Sequence, residues 1–600
     1  MKKSNFKLSL LLIVPLLSQC TLEFFFEDKK KNNLINEVRK VFGDHLKPLE
    51  PVYLPGILGF NPDAELLELG RNLFNDTLLS RNNDSSCATC HLSNHGFADG
   101  NSINVGTLGL GGPHGDNVGR GFGEGVLSTE RGFGNDGMGF NSRFVSFRNS
   151  LSTVNAVFRM NTRKNTGLFH DGRFGDLRFQ ALLPIHTAEE LCGQNPVPFP
   201  PHQENIFRPG GPLFKKPVTI RHAHSWDKVQ GINLHHYNSI TETVIGVPTR
   251  RPNGHISVPT RNECLAIAIA KIRMVPGYRT LFAKAFDTPE INDERVGLAL
   301  AAFVMSHVSN RSPWDRFVAG DDSLTKEQLL GLAIYFTPIG KKITLGGHEL
   351  TGAGCVSCHS GPTFGGKGFS SLGVRSNPLS SLSKPSFVNQ VRTSGFVIAP
   401  DEQRGALPKC HLEDITVSGN YAPDIGFAVT SRKVEDCFKF RIPPLRNVIE
   451  TWPYFHHGTA KGQGIAAADH RKRSLATLKQ VIRYHLRGPI SIELANQGNP
   501  LVSFFDETWQ LDPYVPYYTQ DFSGVSDFSS LKFPLVIPDD QVDWLADFVA
   551  FGLYDPEAVV TGSFGNPVGH PTSVPSGLTP TISRDHGTQL ELPRHQNLSH

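Results

Sequence analysis

Residues 86–91 read SCATCH, and the spacing of Cys87, Cys90 and His91 returns as GCVSCHSG at 354–361, with Cys355, Cys358 and His359. In C-x-x-C-H each thiol can add to a heme vinyl group, and the adjacent imidazole can then bind iron from one face. Two other chemistries use cysteine pairs. A zinc site needs further Cys or His ligands to close a tetrahedron, and a redox C-x-x-C does not need the histidine that follows. Each copy here has its own histidine, so the pattern predicts two covalently bound heme c groups, with His91 and His359 as proximal ligands. The opposite face of each iron decides its use: an open position makes a catalyst, a filled one an electron carrier.

The N-terminus agrees with heme attachment outside the cytoplasm. Lys2, Lys3 and Lys7 precede the apolar run LSLLLIVPLL, and residues 1–20 read as an export signal leading to the periplasm. LLSQC resembles a lipobox, which would make Cys20 a lipid anchor, although Gln19 departs from the usual small residue. Of nine cysteines, Cys192, Cys264, Cys410 and Cys437 remain after Cys20 and the two C-x-x-C-H pairs. Four spare thiols in an exported chain predict two disulfides, and proximity favours Cys192–Cys264 and Cys410–Cys437 without fixing the pairing. A net charge of +3 over 600 residues gives no case for a nucleic-acid partner.

Six hundred residues exceed one core. Residues 21–50 are charged and read as a lead-in linker. PDAELLELGRNLFND (62–76) has helical apolar spacing and ends just before the first C-x-x-C-H; LTKEQLLGLAIYF (324–336) does the same before the second. ECLAIAIAKIRMV and ERVGLALAAFVMSHV add further helices. The expected domains are 51–322 and 323–556, with Gly-rich and Pro-rich insertions at 104–140 and 193–260. The Pro-, Ser-, Thr- and His-rich stretch 557–600 reads as a disordered tail.

Several ordered segments resemble one family, the bacterial di-heme cytochrome c peroxidases and the related MauG enzymes. They are LFNDTLLSRNNDSSCATCHLSNHGFADG, FRNSLSTVNAVF, LFHDGRFGDLRFQALLPIHTAEEL, SPWDRFVAGD, GCVSCHSGPTF, FKFRIPPLRNVIETWPYFHHG and SLATLKQVIRYHLRG. The resemblance implies a mainly α fold of two cytochrome c-like heme domains with long loop insertions. It implies an oxidoreductase in which the N-terminal heme meets hydrogen peroxide. The C-terminal heme takes electrons from a soluble cytochrome c or another donor. A homodimer is compatible with it. It places the distal acid at Glu190 and a glutamine of the same pocket at Gln180. It implies a calcium ion between the domains on Asn149, Thr451 and Pro453, the last two through carbonyls.

Two departures from the family pattern bear on function. The last methionine is Met305, so no second-domain methionine can bind the second iron. The matching position is His485, spaced 3, 4, 3 with Leu475, Leu478 and Ile482 on a helix expected to start at Ser474 and stop at Gly488. Tyr484 is the competing ligand, expected on a more polar face, and a packed core histidine is the third reading. The family's FWDGR is FHDGR here, so His170 replaces a tryptophan thought to lie between the hemes. It is a relay, a ligand or a hydrogen-bonded core residue. His114, in the loop GGPHGDN, is the counterpart of a histidine that gates the first iron. His456 matches a family histidine near the second heme, and His457 is expected to be exposed. Three functions stay open: a peroxidase, a MauG-like or rubber-oxygenase-like oxidase of an organic or protein substrate, and a non-catalytic electron carrier.

Overall fold

The protein is described by a computed structural model. It covers residues 13–50, 63–100 apart from 81, 82 and 84, 148–160, 167–186, 190–191, 261–372 apart from 367, 374, 424–460, 470–486, 535–560, 571 and 573–578. Its longer helices follow the apolar spacing closely. They are α1 (Ile13–Phe42), α2 (Ala64–Asn75), α3 (Arg261–Met274), α4 (Pro276–Phe286), α5 (Asp293–Met305), α6 (Pro313–Ala319), α7 (Lys326–Phe336), α8 (His470–Leu486) and α9 (Asp539–Asp547). The starts are marked by side-chain caps. Asp63 accepts from the Leu66 amide at 2.8 Å, Asn292 from the Arg295 amide, and Thr325 and Gln328 form a reciprocal capping box.

Two apolar cores form. The first joins α2, α3, α4 and α5 through residues such as Leu69, Ile272, Phe282 and Leu300. The second joins α6, α7, α8 and α9 through Trp314, Tyr335, Leu478 and Leu545. Each is built round one tight helix crossing. A Cβ at Gly70 of α2 would lie 2.1 Å from the Ala299 carbonyl oxygen of α5. At Gly331 of α7 it would lie 2.1 Å from that of Trp544 in α9. Only glycine permits these approaches, and both glycines sit on the helix that leads to a C-x-x-C-H. The halves therefore repeat one plan. After α7, β1 (Lys342–Leu345) and β2 (His348–Thr351) pair antiparallel through Gly346 and Gly347, whose φ of 55° and 80° suit a two-residue hairpin turn. β3 (Phe369–Ser370) pairs with β4 (Phe440–Arg441).

Several expectations are corrected here. Residues 21–42 are no linker: α1 continues through them, and Leu34, Ile35, Val38 and Phe42 join the second core. Their apolar spacing was masked by the surrounding charge. The tail is ordered in part, since Val574 is buried and the Ser576 hydroxyl donates to Asp76 at 2.8 Å. α6 packs with the second core, so the boundary expected at 322 falls earlier, after Val308, and Ala558 of the C-terminal stretch returns to the first core. Ser474 does not cap α8 but lies buried inside it. Cys264 and Cys437 are disulfide-bonded, while His114, Cys192 and Cys410 lie outside the described residues. Among the described residues no helix is long and apolar enough to cross a membrane.

Candidate heme sites

Cys87–Cys90 form one helical turn, closed by a capping box between Ser86 and Thr89. The His91 amide then donates to the Cys87 carbonyl at 3.0 Å. Cys355–Ser357 form the equivalent turn in the second half, and the His359 amide donates to the Cys355 carbonyl at 2.9 Å. In both copies the turn puts two thiols and one imidazole on the wall of a cavity.

The imidazoles are prepared as ligands. His91 Nδ1 bonds the Phe97 carbonyl at 2.9 Å. His359 Nδ1 lies 3.1 Å from the Pro443 carbonyl and 3.3 Å from that of Phe364. Such tethers fix the tautomer and leave Nε2 for a metal. Burial holds His91 below the usual imidazole range and pushes His359 down to about 4, with nearby His485 adding to the shift. Both rings are therefore neutral at pH 7.

The thiols argue against the two rival chemistries. Burial pushes Cys87 and Cys355 up to about 12, the opposite of the depressed thiol that a redox pair needs. Among the described residues neither C-x-x-C-H belongs to a group of three or more side chains within reach of one ion, so neither closes a zinc tetrahedron. The donor set fits heme c.

The second cavity has a further imidazole. His485 Nδ1 bonds the Val481 carbonyl at 2.8 Å, one turn back on α8, and the ring lines the cavity with His359. With metal–nitrogen bonds of about 2 Å, two imidazoles on one ion stand with their centroids roughly 6 Å apart. His359 and His485 stand 6.4 Å apart. Tyr484 is not on a polar face as expected. It is 1% exposed, and its hydroxyl donates to the Leu372 carbonyl at 2.9 Å. It does not line this cavity.

The first cavity brings Glu190 and Gln180 together with Cys87, Cys90 and His91. Burial pushes the Glu190 carboxyl up to about 7, against the opposing pull of Arg173. Arg173 was not anticipated from the sequence. It pairs with Asp171 at 3.1 Å and lies over the Phe169 ring.

His170 lines both cavities, as do Asn149 and Arg441. Its Nε2 lies 3.0 Å from the Asn149 carbonyl, and its own carbonyl accepts from the Arg441 amide at 2.7 Å. Burial, with Arg148 nearby, pushes it down to about 3, so it is neutral. Asn149 Nδ2 donates to the Pro453 carbonyl at 2.6 Å, and Thr451 lines the same cavity. Asn149, Thr451 and Pro453 thus line one cavity.

His457 is fully buried, not exposed: its Nε2 lies 3.2 Å from Asp424. Asp424 in turn receives Arg148 through Nε at 2.6 Å and Nη2 at 2.9 Å, while Arg148 Nη1 reaches Asp171 at 2.8 Å. Asp424, His456 and His457 could geometrically hold an ion, but Arg148 already occupies the carboxylate. No local sequence signal marks this network, because its partners stand 276 residues apart.

The di-haem cytochrome c peroxidase family model matches residues 64–204 and 223–323. The methylamine utilization protein MauG of Methylophilus methylotrophus is 24% identical over 62% of this chain and 72% of its own. Cytochrome c551 peroxidase of Nitrosomonas europaea is 22% identical over 69% of this chain and 74% of its own. A solved MauG-like protein associated with microbial copper homeostasis superposes with a TM-score of 0.45 and 18% identity, covering 87% of this chain and 96% of that one. With two C-x-x-C-H turns facing two cavities, the chain is an oxidoreductase similar to the di-haem cytochrome c peroxidases and MauG.

Proposed function

We propose that the protein reduces hydrogen peroxide to two waters, consuming two electrons and two protons, at a heme held by Cys87, Cys90 and His91. When bound, that heme supplies the iron at which peroxide binds and its O–O bond breaks. Glu190 takes the proton from the near oxygen and delivers it to the far one, so that water leaves instead of hydroxide. Gln180, on the same wall, orients the peroxide. The observation that carries this reading is Glu190 itself, half-buried on the wall of the His91 cavity with its carboxyl pushed up to about 7, where one group can both accept and donate.

Cys355, Cys358, His359 and His485 would hold a second heme in their shared cavity, and that group would supply electron storage and transfer. His170 lies on the route between the two cavities as part of the shared wall. A calcium ion on Asn149, Thr451 and Pro453 joins the halves. The amide of Asn149 has interchangeable O and N positions, so its oxygen can turn toward the ion that the Pro453 carbonyl also binds. A soluble cytochrome c is the electron donor, and the export signal puts the reaction in the periplasm, with Cys20 as an optional lipid anchor.

A second reading, MauG-like oxidation of an organic or protein substrate, is favoured by one observation. An imidazole in place of methionine lowers the potential of the second heme and stabilises its oxidised state. Anaerobic turnover of the holoprotein decides. The peroxidase reading expects two reduced cytochrome c molecules oxidised per peroxide. Peroxide consumption without cytochrome c oxidation supports the second reading, and no peroxide consumption rejects both.

A further inference from the structure

The loop 168–174 carries three side chains to the first cavity. Leu168 and Phe174 bridge antiparallel, the Leu168 amide donating to the Phe174 carbonyl at 2.7 Å. Between them Phe169, at a φ of 63°, and Gly172, at 65°, wind the chain tightly. Left-handed backbone is costly for phenylalanine and persists only where the surroundings over-determine it. Thr430 of the other half secures the tip, its hydroxyl donating to the Asp171 carbonyl at 2.7 Å. Phe169, His170 and Arg173 thereby line the His91 cavity.

Arg173 is also the end of a row of alternating charges. Its Nη1 lies 3.1 Å from Asp171, Asp171 lies 2.8 Å from Arg148, and Arg148 lies 2.6 Å from Asp424. Asp171, Arg148 and Asp424 are all buried, so the row acts through a poorly screening interior. It is neutral as a whole but polar along its length. The carboxylate end, Asp424, lines the second cavity, and the cation end, Arg173, lines the first. Among the described residues the one ion pair of Arg173 is with Asp171, through the oxygen that Arg148 also holds. Its guanidinium lies 4.2 Å from the centre of the Phe169 ring, which fixes its plane. A positive pole is thus held rigidly on the wall that carries Glu190 and Gln180. Its charge already works against the burial that raises the Glu190 carboxyl.

We propose that Arg173 is a catalytic residue of the first site, an inference that rests on the peroxide reading: its guanidinium binds the far oxygen of peroxide and holds the negative charge that gathers there. As the O–O bond breaks, that oxygen takes the bonding pair. The proton that Glu190 has carried from the near oxygen joins it, and water leaves. Arg173 keeps its own protons throughout, and the two electrons and two protons of the full reaction are unchanged. A cation fixed in advance costs no reorganisation as the bond breaks.

Holoprotein carrying Arg173→Gln tests this in two assays, with heme content checked by pyridine hemochrome. Peroxide turnover with reduced cytochrome c should fall roughly 10²–10³-fold, the usual cost of one transition-state donor. Fluoride, a small anion that binds ferric heme at an open face, reads the cation without turnover. Its dissociation constant, followed by heme absorbance, should rise about tenfold or more. Arg173→Lys keeps the charge and should recover most of that affinity. Parent fluoride affinity in the glutamine variant overturns the proposal whatever its turnover, because a lost anion site must show there. Weakened fluoride binding with parent turnover overturns the catalytic role, and a lysine variant no better than glutamine overturns the role of charge. Should glutamine not be accepted beside Phe169, Arg173→Met, whose thioether packs on the ring, is read by the same two assays. A parent protein that consumes no peroxide rejects the peroxide reading itself. One that consumes it while the glutamine variant is unaffected rejects Arg173 alone.

Discussion

Glu190 has no feature in its own sequence neighbourhood that marks it as more than one acid in TAEEL. The fold gives it meaning by placing it, half-buried, on the wall of the cavity that His91 lines. Its raised pKa has a sign that can be followed. The folded protein keeps a proton that the unfolded chain releases, so this residue favours folding below about 4.5 and costs stability as pH rises through 4.5 to about 7. Proton acceptance from peroxide needs the carboxylate, so kcat/KM should fall as pH drops below about 7. Glu190→Gln should lose roughly 10²–10⁴-fold in peroxide turnover with both hemes still attached, and the acid limb should vanish. Full activity in that variant would remove Glu190 from the reaction. The cysteines and proximal histidines were legible because C-x-x-C-H is a local pattern. Arg148 was not, because its partner Asp424 stands 276 residues away.

At the scale of elements, each half depends on one glycine crossing. Adding a methyl group at Gly331 drives it into the Trp544 carbonyl, and overpacking of this kind costs about 1–3 kcal/mol or more. Gly331→Ala should therefore lower the denaturation midpoint of the second half, whereas Gly43→Ala, where a Cβ meets nothing within 4 Å, should leave it unchanged. Chemical denaturation followed by heme absorbance checks both. The periodicity of α8 singles out His485, which lines the second cavity, but it also sets the buried Tyr484 on a polar face and the start of the helix four residues late. The reason is that His470, Arg471, Lys472 and Arg473 are polar yet held by tertiary contacts, such as Arg471 Nε to Glu450 at 2.8 Å. His485→Ala should convert the second heme from low to high spin; an unchanged spectrum would place its sixth ligand elsewhere.

Across the whole molecule, the two halves are joined by polar groups that sequence periodicity does not reveal. Arg148 holds Asp171 of its own half and Asp424 of the other. Ser309 donates to Asn447, whose amide reaches the Asp555 carbonyl. The amide of Asn149 lies on Pro453. Across this joint the two C-x-x-C-H cavities share the wall of Asn149, His170 and Arg441. Their inequality is the core of the account: a carboxyl beside His91 and an imidazole 6.4 Å from His359. Electron paramagnetic resonance of the fully oxidised holoprotein reads this directly. The account predicts one low-spin signal from a heme ligated by two imidazoles and one high-spin signal from a heme with a vacant face. A high-spin second heme, or two low-spin hemes that persist through half-reduction, would contradict it.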